Sequence, residues 1–267
     1  MHLFFVPYYA VYFCFVVFAG LLYFSNAITN ADFLYVVSFS LAIFALNAYN
    51  QIEDYHIDKI SKKFRPLVRK DISFFEAKVI CVLLYVFSIV FNIIYFNERI
   101  FELLIFFIAL SFIYSKNFFN LRSNFGSNFF GSIFYGLIPL LLVQILINTD
   151  VSLLIIFFTF NTFLIASLKD FEDSSADKRY GLKTLPNVVD TFKAKKIICG
   201  LLCLVAIFSA SFFFLKTFFF YNALLFLFFS MISIYMIHLA IRDAPKSAVP
   251  IGLTYNLFFL VLQLFFY

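Results

Sequence analysis

Long unbroken runs of apolar residues dominate this chain, and short polar stretches separate them. A helix that crosses a lipid bilayer needs about 20 apolar residues, with a range of about 17 to 25. By that measure the pattern predicts nine membrane-spanning helices, near residues 3–24, 32–52, 74–96, 99–115, 126–147, 151–169, 194–215, 218–240 and 247–266. Strands of a membrane barrel would alternate polar and apolar residues, so the unbroken runs exclude that class.

The composition supports this prediction. Of the 267 residues, 64% are hydrophobic and only 13% are charged, and the mean hydropathy is +0.97. A soluble domain of this length could not bury so much apolar surface. We therefore expect an all-α polytopic membrane protein with one domain over residues 1–267. The first apolar run lacks a basic leading segment and is too long for a cleavable signal peptide.

Basic residues mark alternate connections between the predicted spans. Every Lys and Arg except Arg99 and Lys216 lies in or beside the second, fourth, sixth or eighth connection. Cytoplasmic loops of membrane proteins carry an excess of such residues. The pattern thus favours the nine-helix count and predicts a cytoplasmic N-terminus and cytoplasmic even-numbered connections.

The second predicted span runs into an acidic stretch, NQIEDYHIDK, at residues 50–59. Asn50, Asp54 and Asp58 are spaced four apart, so a continuing helix would place them on one face, one turn above another. Stacked carboxylates repel each other unless a cation lies between them. Mg²⁺ prefers such oxygen ligands and often takes only one or two protein carboxylates, with phosphate oxygens and water completing its shell.

A second acidic stretch, KDFEDSSADK at residues 169–178, closes the sixth predicted span. It carries Asp170, Asp173 and Asp177. Asp54 and Asp173 are 119 residues apart, and the same offset joins Asp58 to Asp177. This shared register predicts an internal pseudo-repeat, with halves of about 1–120 and 121–267.

Each acidic stretch continues into a basic loop, and together they offer what a diphosphate needs. Carboxylates can hold Mg²⁺, and nearby cations can take the remaining phosphate charge. A solvated loop whose acids balance neighbouring lysines would explain one such cluster, but two clusters in register favour a metal–polyphosphate site. Lys116, at the end of the fourth span, suits a phosphate contact and a membrane anchor equally well. Asn161, Gln144 and Asn256, isolated within spans, suit either interhelical hydrogen bonds or pocket lining.

These two blocks resemble the signatures of the UbiA superfamily of intramembrane prenyltransferases. The loop DKISKKFRPLVRKDIS, residues 58–73, is similar to that family's first loop, with its Arg-Pro pair. The stretch KDFEDSSADKRYGLKTLP, residues 169–186, is similar to its second signature, including the Gly-x-x-Thr-Leu-Pro tail. One departure is Gln51, where the family usually has an acid after Asn50. The short gap from Asp58 to Arg65 is similar to that in the digeranylgeranylglyceryl phosphate synthase-like branch and in some chlorophyll-synthase-like branches.

The resemblance implies a UbiA-like bundle with two cytoplasmic Asp-rich loops, in an enzyme that transfers a prenyl group from an isoprenoid diphosphate. It implies Mg²⁺ as cofactor, catalytic roles for Asp54, Asp58, Asp173 and Asp177, and membrane lipid around the chain. Its expected metal ligands are Asn50, Asp54, Asp173 and Asp177, with Asp58 and Asp170 as further ligands or supports. Its expected diphosphate-binding residues are Lys59, Arg65, Lys116 and Lys178.

The acceptor stays open at this stage. A glyceryl ether phosphate would place the chain in lipid synthesis, whereas a hydroxybenzoate, naphthoate or homogentisate acceptor would place it in quinone synthesis. UbiA-like phosphoribosyl transfer or terpene cyclisation would keep the fold and change the chemistry. A cation transporter is the alternative from another class, since intramembrane acids often mark ion paths. We expect no nucleic-acid partner.

Overall fold

The computed structural model describes residues 7–25, 28–116, 126–179, 181–217 and 220–266, and the regular structure in these ranges is helical throughout. The helices are α1 (Pro7–Phe24), α2 (Asn30–Glu53), α3 (Tyr55–Ser61), α4 (Pro66–Arg69), α5 (Phe74–Ile94), α6 (Glu98–Ser115), α7 (Gly126–Ser132), α8 (Ile138–Ile147), α9 (Ser152–Ala166), α10 (Lys169–Arg179), α11 (Leu185–Val189), α12 (Thr191–Thr217), α13 (Phe220–Asp243) and α14 (Ala248–Phe266). A π-helical segment, Ile133–Leu137, joins α7 to α8, and a 3₁₀ turn, Pro245–Ser247, precedes α14. The interior of each helix satisfies its own backbone polar groups, as a bilayer requires.

Seven segments in the described part of the chain are long and apolar enough to cross a membrane. They are Asn30–Glu53, Phe74–Ile94, Ser127–Ile147, Ser152–Ser175, Thr191–Phe212, Phe220–Asp243 and Pro245–Phe265. The other two predicted spans also contain helices, but α1 offers only the shorter apolar stretch Tyr9–Phe24. Helix α6 begins with three charged side chains, Glu98, Arg99 and Glu102. The all-helical membrane class is therefore confirmed, while the count of nine spans stays a prediction.

Side-chain caps define where several helices begin. Thr29 and Asp32 form a reciprocal capping box at the start of α2, and Ser73 and Glu76 form another at the start of α5. Asn97 accepts a hydrogen bond from the Ile100 amide at the start of α6. Such caps satisfy amide groups that lack a partner within the helix.

The chain divides into two compact units. Among the described residues, the first unit takes those within Met1–Arg122 and Ile138–Asp150. Its interior holds a row of fully buried rings, in which Phe39 stacks on Phe13 at 5.9 Å and meets Phe107 edge-on at 6.2 Å. Ser38 on α2 also donates a hydrogen bond to the Ser88 carbonyl on α5, at 2.8 Å. This contact fixes the pairing of the two helices that carry and support the first acidic motif.

The second unit takes the described residues within Ser123–Leu137 and Val151–Tyr267. A hydrogen-bonded group ties α9 to α14 inside its apolar core. Asn161 Nδ2 donates to Asn256 Oδ1 at 2.5 Å, and Asn256 Nδ2 donates to Thr162 Oγ1 at 2.8 Å. All three side chains are buried. Of the two roles open for Asn161 and Asn256, the structure thus shows the interhelical hydrogen bond.

Two glycines let α7 and the π segment lie close to α9. A Cβ added at Gly131 would lie 3.2 Å from Ala166 Cβ, and one added at Gly136 would lie 3.0 Å from the Thr159 Cα. Small residues allow such approach between helices in membranes. The result brings the start of α7 near the end of α9, where the second acidic motif begins.

Candidate active site

The first acidic motif lies where α2 passes into α3. Asp54 separates the two helices, but the hydrogen-bond ladder continues through it. The Asp54 N–H donates to the Asn50 carbonyl at 2.9 Å, and the Asp58 N–H donates to the Asp54 carbonyl at 2.9 Å. The three residues therefore follow one another at one-turn spacing, as the sequence predicted.

Asn50 and Asp54 are in direct side-chain contact. Asn50 Nδ2 donates to Asp54 Oδ2 at 3.0 Å, and both side chains are half-buried. Gln51, which replaces the acid typical of the family, is 1% exposed. Of Asn50, Gln51 and Asp54, the accessible oxygen donors are thus those of Asn50 and Asp54.

Asp58 is bound by Arg65. The guanidinium Nη1 of Arg65 donates to Asp58 Oδ2, and their side chains are 13% and 3% exposed, respectively. Burial raises the pKa of the Asp58 carboxyl above its ordinary value, and the Arg65 charge opposes that rise. Pro66, the first residue of α4, follows Arg65, which is extended at φ −67° and ψ 138°. Residues before proline prefer this conformation, so the Arg-Pro pair sets the turn from which Arg65 reaches Asp58.

The second acidic motif forms α10. Asp170, Asp173 and Asp177 are spaced three and four apart, which puts them on one face of the helix. Asp170 is 2% exposed and Asp177 is 8% exposed, while Asp173 is half-buried. Asn128 Nδ2 on α7 donates to Asp170 Oδ2 at 2.9 Å. The acid most open to a ligand on this face is therefore Asp173.

A glycine turn ends α10 directly after the last aspartate. The Leu182 N–H donates to the Asp177 carbonyl at 2.9 Å, and the Gly181 N–H donates to the Lys178 carbonyl at 3.3 Å. This pair of bonds is the Schellman arrangement, which places a residue in the left-handed region. Gly181 has φ +67°, so the glycine of the second signature is explained by the helix end that it forms.

The four cations expected at a diphosphate lie in different surroundings. Lys59 is exposed and its Nζ lies 4.3 Å above the Tyr55 ring, whereas Arg65 is paired with Asp58. Lys116 is exposed and caps the C-terminus of α6. Lys178 is exposed and borders a surface pocket of about 380 Å³, whose other lining residues are Ser174, Ser175, Pro186, Asn187, Asp190 and Thr191. Their roles toward a diphosphate stay predictions.

The donor set fits a hard cation such as Mg²⁺ in its chemistry. In neither unit do three described Asp, Glu, His or Cys side chains group closely enough to hold a metal by themselves. Each unit does present a half-buried carboxylate, Asp54 or Asp173, beside further oxygen donors. Because Mg²⁺ usually keeps water and substrate phosphates among its ligands, one or two carboxylates suffice for it.

Two polar features were not resolved by the sequence: the partner of Asp170 and the role of Gln144. The Asn128–Asp170 contact joins residues 42 positions apart, and the only sequence signal for it is an amide residue at the start of the fifth predicted span. Gln144 Oε1 is buried with no hydrogen-bond partner among the described residues. Whether Gln144 forms an interhelical hydrogen bond or lines a pocket therefore stays open.

The family model described as "UbiA prenyltransferase family" matches residues 7–262. A curated digeranylgeranylglyceryl phosphate synthase from Methanococcus aeolicus is 29% identical over 157 residues, which cover 57% of this chain and 55% of that protein. The match thus spans about half the length of this relative.

Solved structures share the fold at low sequence identity. A UbiA homologue from Archaeoglobus fulgidus bound to DMAPP and Mg²⁺ has a TM-score of 0.69 at 16% identity, over 96% of each chain. A structure of digeranylgeranylglyceryl phosphate synthase in membranes has a TM-score of 0.64 at 20% identity, over 99% of this chain and 95% of that one. A homologue from Aeropyrum pernix has a TM-score of 0.67 at 15% identity, over 95% of this chain and 94% of that one. With a family match over nearly its whole length and this shared fold, the chain belongs to the UbiA prenyltransferase family.

Proposed function

We propose that this protein is a Mg²⁺-dependent prenyltransferase that moves a prenyl group from an allylic diphosphate to a polar acceptor at the cytoplasmic membrane face. The observation that carries this proposal is the pair of acidic helix faces. In each unit, a half-buried aspartate, Asp54 or Asp173, lies one turn from another oxygen donor at the end of a membrane-spanning segment. The family match gives these faces a known chemical context.

The donor substrate follows from the charge arrangement. Breaking the allylic carbon–oxygen bond leaves the electron pair on the diphosphate, whose growing charge must be neutralised. Mg²⁺ held at either motif, by Asn50 and Asp54 in the first unit or by Asp173 and Asp177 in the second, would neutralise that charge. Lys59 and Lys178 would hold phosphate oxygens as point charges. Binding of DMAPP and GPP by the Archaeoglobus fulgidus homologues supports this donor class.

The protein's own residues have two tasks after the bond breaks. They must keep water away from the allylic cation, and they must let the acceptor oxygen form the new carbon–oxygen bond and release its proton. An apolar, aromatic setting suits the first task, because ring faces attract cations by about 0.5–2 kcal/mol each. The chain contains 45 Phe and 16 Tyr residues, and beside the first acidic motif the Tyr55 ring meets the Phe74 ring edge-on at 4.7 Å.

We propose a glyceryl ether phosphate as the acceptor and a geranylgeranyl group as the transferred chain. The Methanococcus aeolicus relative, a digeranylgeranylglyceryl phosphate synthase, supports this choice. So does the short gap between Asp58 and Arg65. The whole chain has a formal net charge of +5. A phosphate-bearing acceptor would also be attracted by the basic residues in the loops.

The site is proposed to face the cytoplasm. Both acidic motifs continue into the loops that carry most of the lysine and arginine, and such loops stay on the cytoplasmic side. A greasy donor held between helices and a polar acceptor from the aqueous side could meet there. The N-terminus would then also be cytoplasmic.

The direct test uses the purified protein in lipid nanodiscs with radiolabelled prenyl diphosphates of several lengths. We expect label to pass from geranylgeranyl diphosphate to geranylgeranylglyceryl phosphate in Mg²⁺ and to stop on addition of EDTA. Transfer to 4-hydroxybenzoate or a naphthoate instead would reassign the acceptor. Failure to transfer any donor to any of these acceptors, with a correctly folded protein, would contradict the proposal.

A further inference from the structure

The start of α10 is tied to α7 by one buried side-chain contact. Asn128 Nδ2 donates to Asp170 Oδ2 at 2.9 Å, and each residue is 2% exposed. A buried polar side chain without a hydrogen-bond partner is costly, so the contact stabilises both side chains in the interior. In this position it holds together two helices that are far apart in the chain.

The packing of the two helices brings this contact about. Gly131 lies one turn after Asn128, and Ala166 lies one turn before Asp170. The absence of a side chain at Gly131 lets α7 approach the end of α9, since a Cβ there would lie 3.2 Å from Ala166 Cβ. The distance between the helices is therefore short enough for the Asn128 amide to reach the Asp170 carboxylate.

The direction of α10 depends on how its first turn is held. A two-residue turn at Ser167 and Leu168 separates α9 from α10, and the Asp170 N–H donates to the Ser167 carbonyl at 3.2 Å. Such a turn allows the two helices to bend relative to one another. The Asn128–Asp170 bond lies just after this turn, so it restrains the part of α10 that leads to Asp173 and Asp177.

We infer that Asn128 is a positioning residue, and that Asp170 is the anchor it holds rather than a magnesium ligand. This inference rests on the proposed function. From the sequence, Asp170 could be a metal ligand or a support for the ligands. Its burial favours the supporting role, because a metal ligand must present an oxygen to a partly hydrated ion. Asp173, one turn further on, is more accessible.

The first unit holds a buried acid in a comparable way, but at a different position of its motif. Its most buried motif acid, Asp58, is bound by Arg65, while the more accessible Asp54 lies one turn away. Each motif thus contains a buried acid bonded to another side chain, Asp58 or Asp170, and a more accessible acid about one turn away, Asp54 or Asp173. The anchoring role of Asp170 therefore has a counterpart within the same chain.

The test exchanges the two side chains. Asn128→Asp places two carboxylates in contact, and we expect it to lower the transfer rate by about tenfold or more and to lower the unfolding temperature. Asp170→Asn keeps an oxygen acceptor for the Asn128 amide, so we expect a loss of only about threefold. The double variant, N128D together with D170N, restores an amide–carboxylate bond and should recover most of the rate and of the unfolding temperature lost in N128D.

Other outcomes separate this inference from the proposed function. If Asp170 were a ligand, D170N would abolish transfer and the double variant would stay inactive although its unfolding temperature recovered. That result would overturn the anchoring role while leaving the proposed function intact. A wild-type protein without transfer would instead contradict the proposed function, and the recovery of unfolding temperature would still test the Asn128–Asp170 bond. Phe129→Leu, at a neighbouring exposed position on α7, is the matched control and should change neither quantity.

Discussion

The guanidinium of Arg65 donates a hydrogen bond to the carboxylate of Asp58, and both side chains are withdrawn from solvent. Arg65→Ala would leave a buried carboxylate without this partner, a change that costs about 3–5 kcal/mol in buried pairs. We expect a lower unfolding temperature in detergent, measured with a maleimide dye that reacts with the four free cysteines as they become exposed. Arg65→Lys should recover part of the loss, since it keeps the charge without the planar fork.

The chain contains a matched control for this experiment in the same loop. Arg69 pairs with Asp71 at 3.2 Å, but their side chains are 57% and 39% exposed. Exposed pairs contribute about 0–1 kcal/mol. Arg69→Ala should therefore leave the unfolding temperature almost unchanged, and equal losses in both alanine variants would contradict the buried ion pair.

The close packing of the π segment on α9 makes a second prediction. Gly136→Ala would place a methyl group 3.0 Å from the Thr159 Cα, which is backbone and cannot rotate away. Overpacking of this kind costs about 1–3 kcal/mol, so the unfolding temperature should fall. Gly200→Ala on α12 is the control, because a Cβ there meets nothing within 4 Å. A destabilised G200A with an unaffected G136A would refute the packing described for α9.

The buried contact between α9 and α14 makes a third prediction. Asn256→Ala removes one acceptor and one donor from this group. Interhelical hydrogen bonds in membranes contribute about 0.6 kcal/mol on average and about 1.7 at most, so we expect a loss of about 1–2 kcal/mol. Thr254→Ala on the same helix serves for comparison, since Thr254 is exposed and its hydroxyl donates to the Pro250 carbonyl within α14. Equal stability of the two variants would argue against the interhelical bond.

The alternating basic connections make a prediction about orientation. In a variant whose native cysteines have been replaced, Lys63→Cys and Thr149→Cys introduce single thiols at exposed positions of the second and fifth connections. A membrane-impermeant maleimide added to intact cells should label the thiol at position 149 and should reach position 63 only after the cells are opened. Labelling of both from outside would exclude the predicted orientation.

The sequence predicted those features of the structure that depend on residues close together in the chain. Apolar runs of bilayer length predicted helices, and each of the nine predicted segments contains one. Asn50, Asp54 and Asp58 were expected at successive turns, and the hydrogen-bond ladder follows that spacing. These features depend on residues within one or two turns of each other, so periodicity is sufficient to find them.

Contacts between distant helices could not be predicted in the same way. The pairing of Asn128 with Asp170 depends on how closely α7 approaches α9, and that distance depends on glycines whose partners lie elsewhere in the chain. The pairing of Arg65 with Asp58 was not predicted either, because it depends on the turn before Pro66, which brings Arg65 back to α3. Spacing shows which residues share a face but leaves open which helix that face meets.

The central claim is that the accessible aspartates of the two motifs support prenyl transfer, and adjacent residues on α10 allow it to be tested most directly. Asp173→Asn keeps the side-chain volume and removes the charge, and Glu172→Gln makes the same change at an exposed neighbour. With radiolabelled prenyl diphosphate and Mg²⁺, we expect D173N to lower the transfer rate by more than about a hundredfold and E172Q to leave it nearly unchanged. Asp54→Asn should behave as D173N does. Normal turnover in D173N and D54N, in protein that inserts and folds like the wild type, would contradict the account.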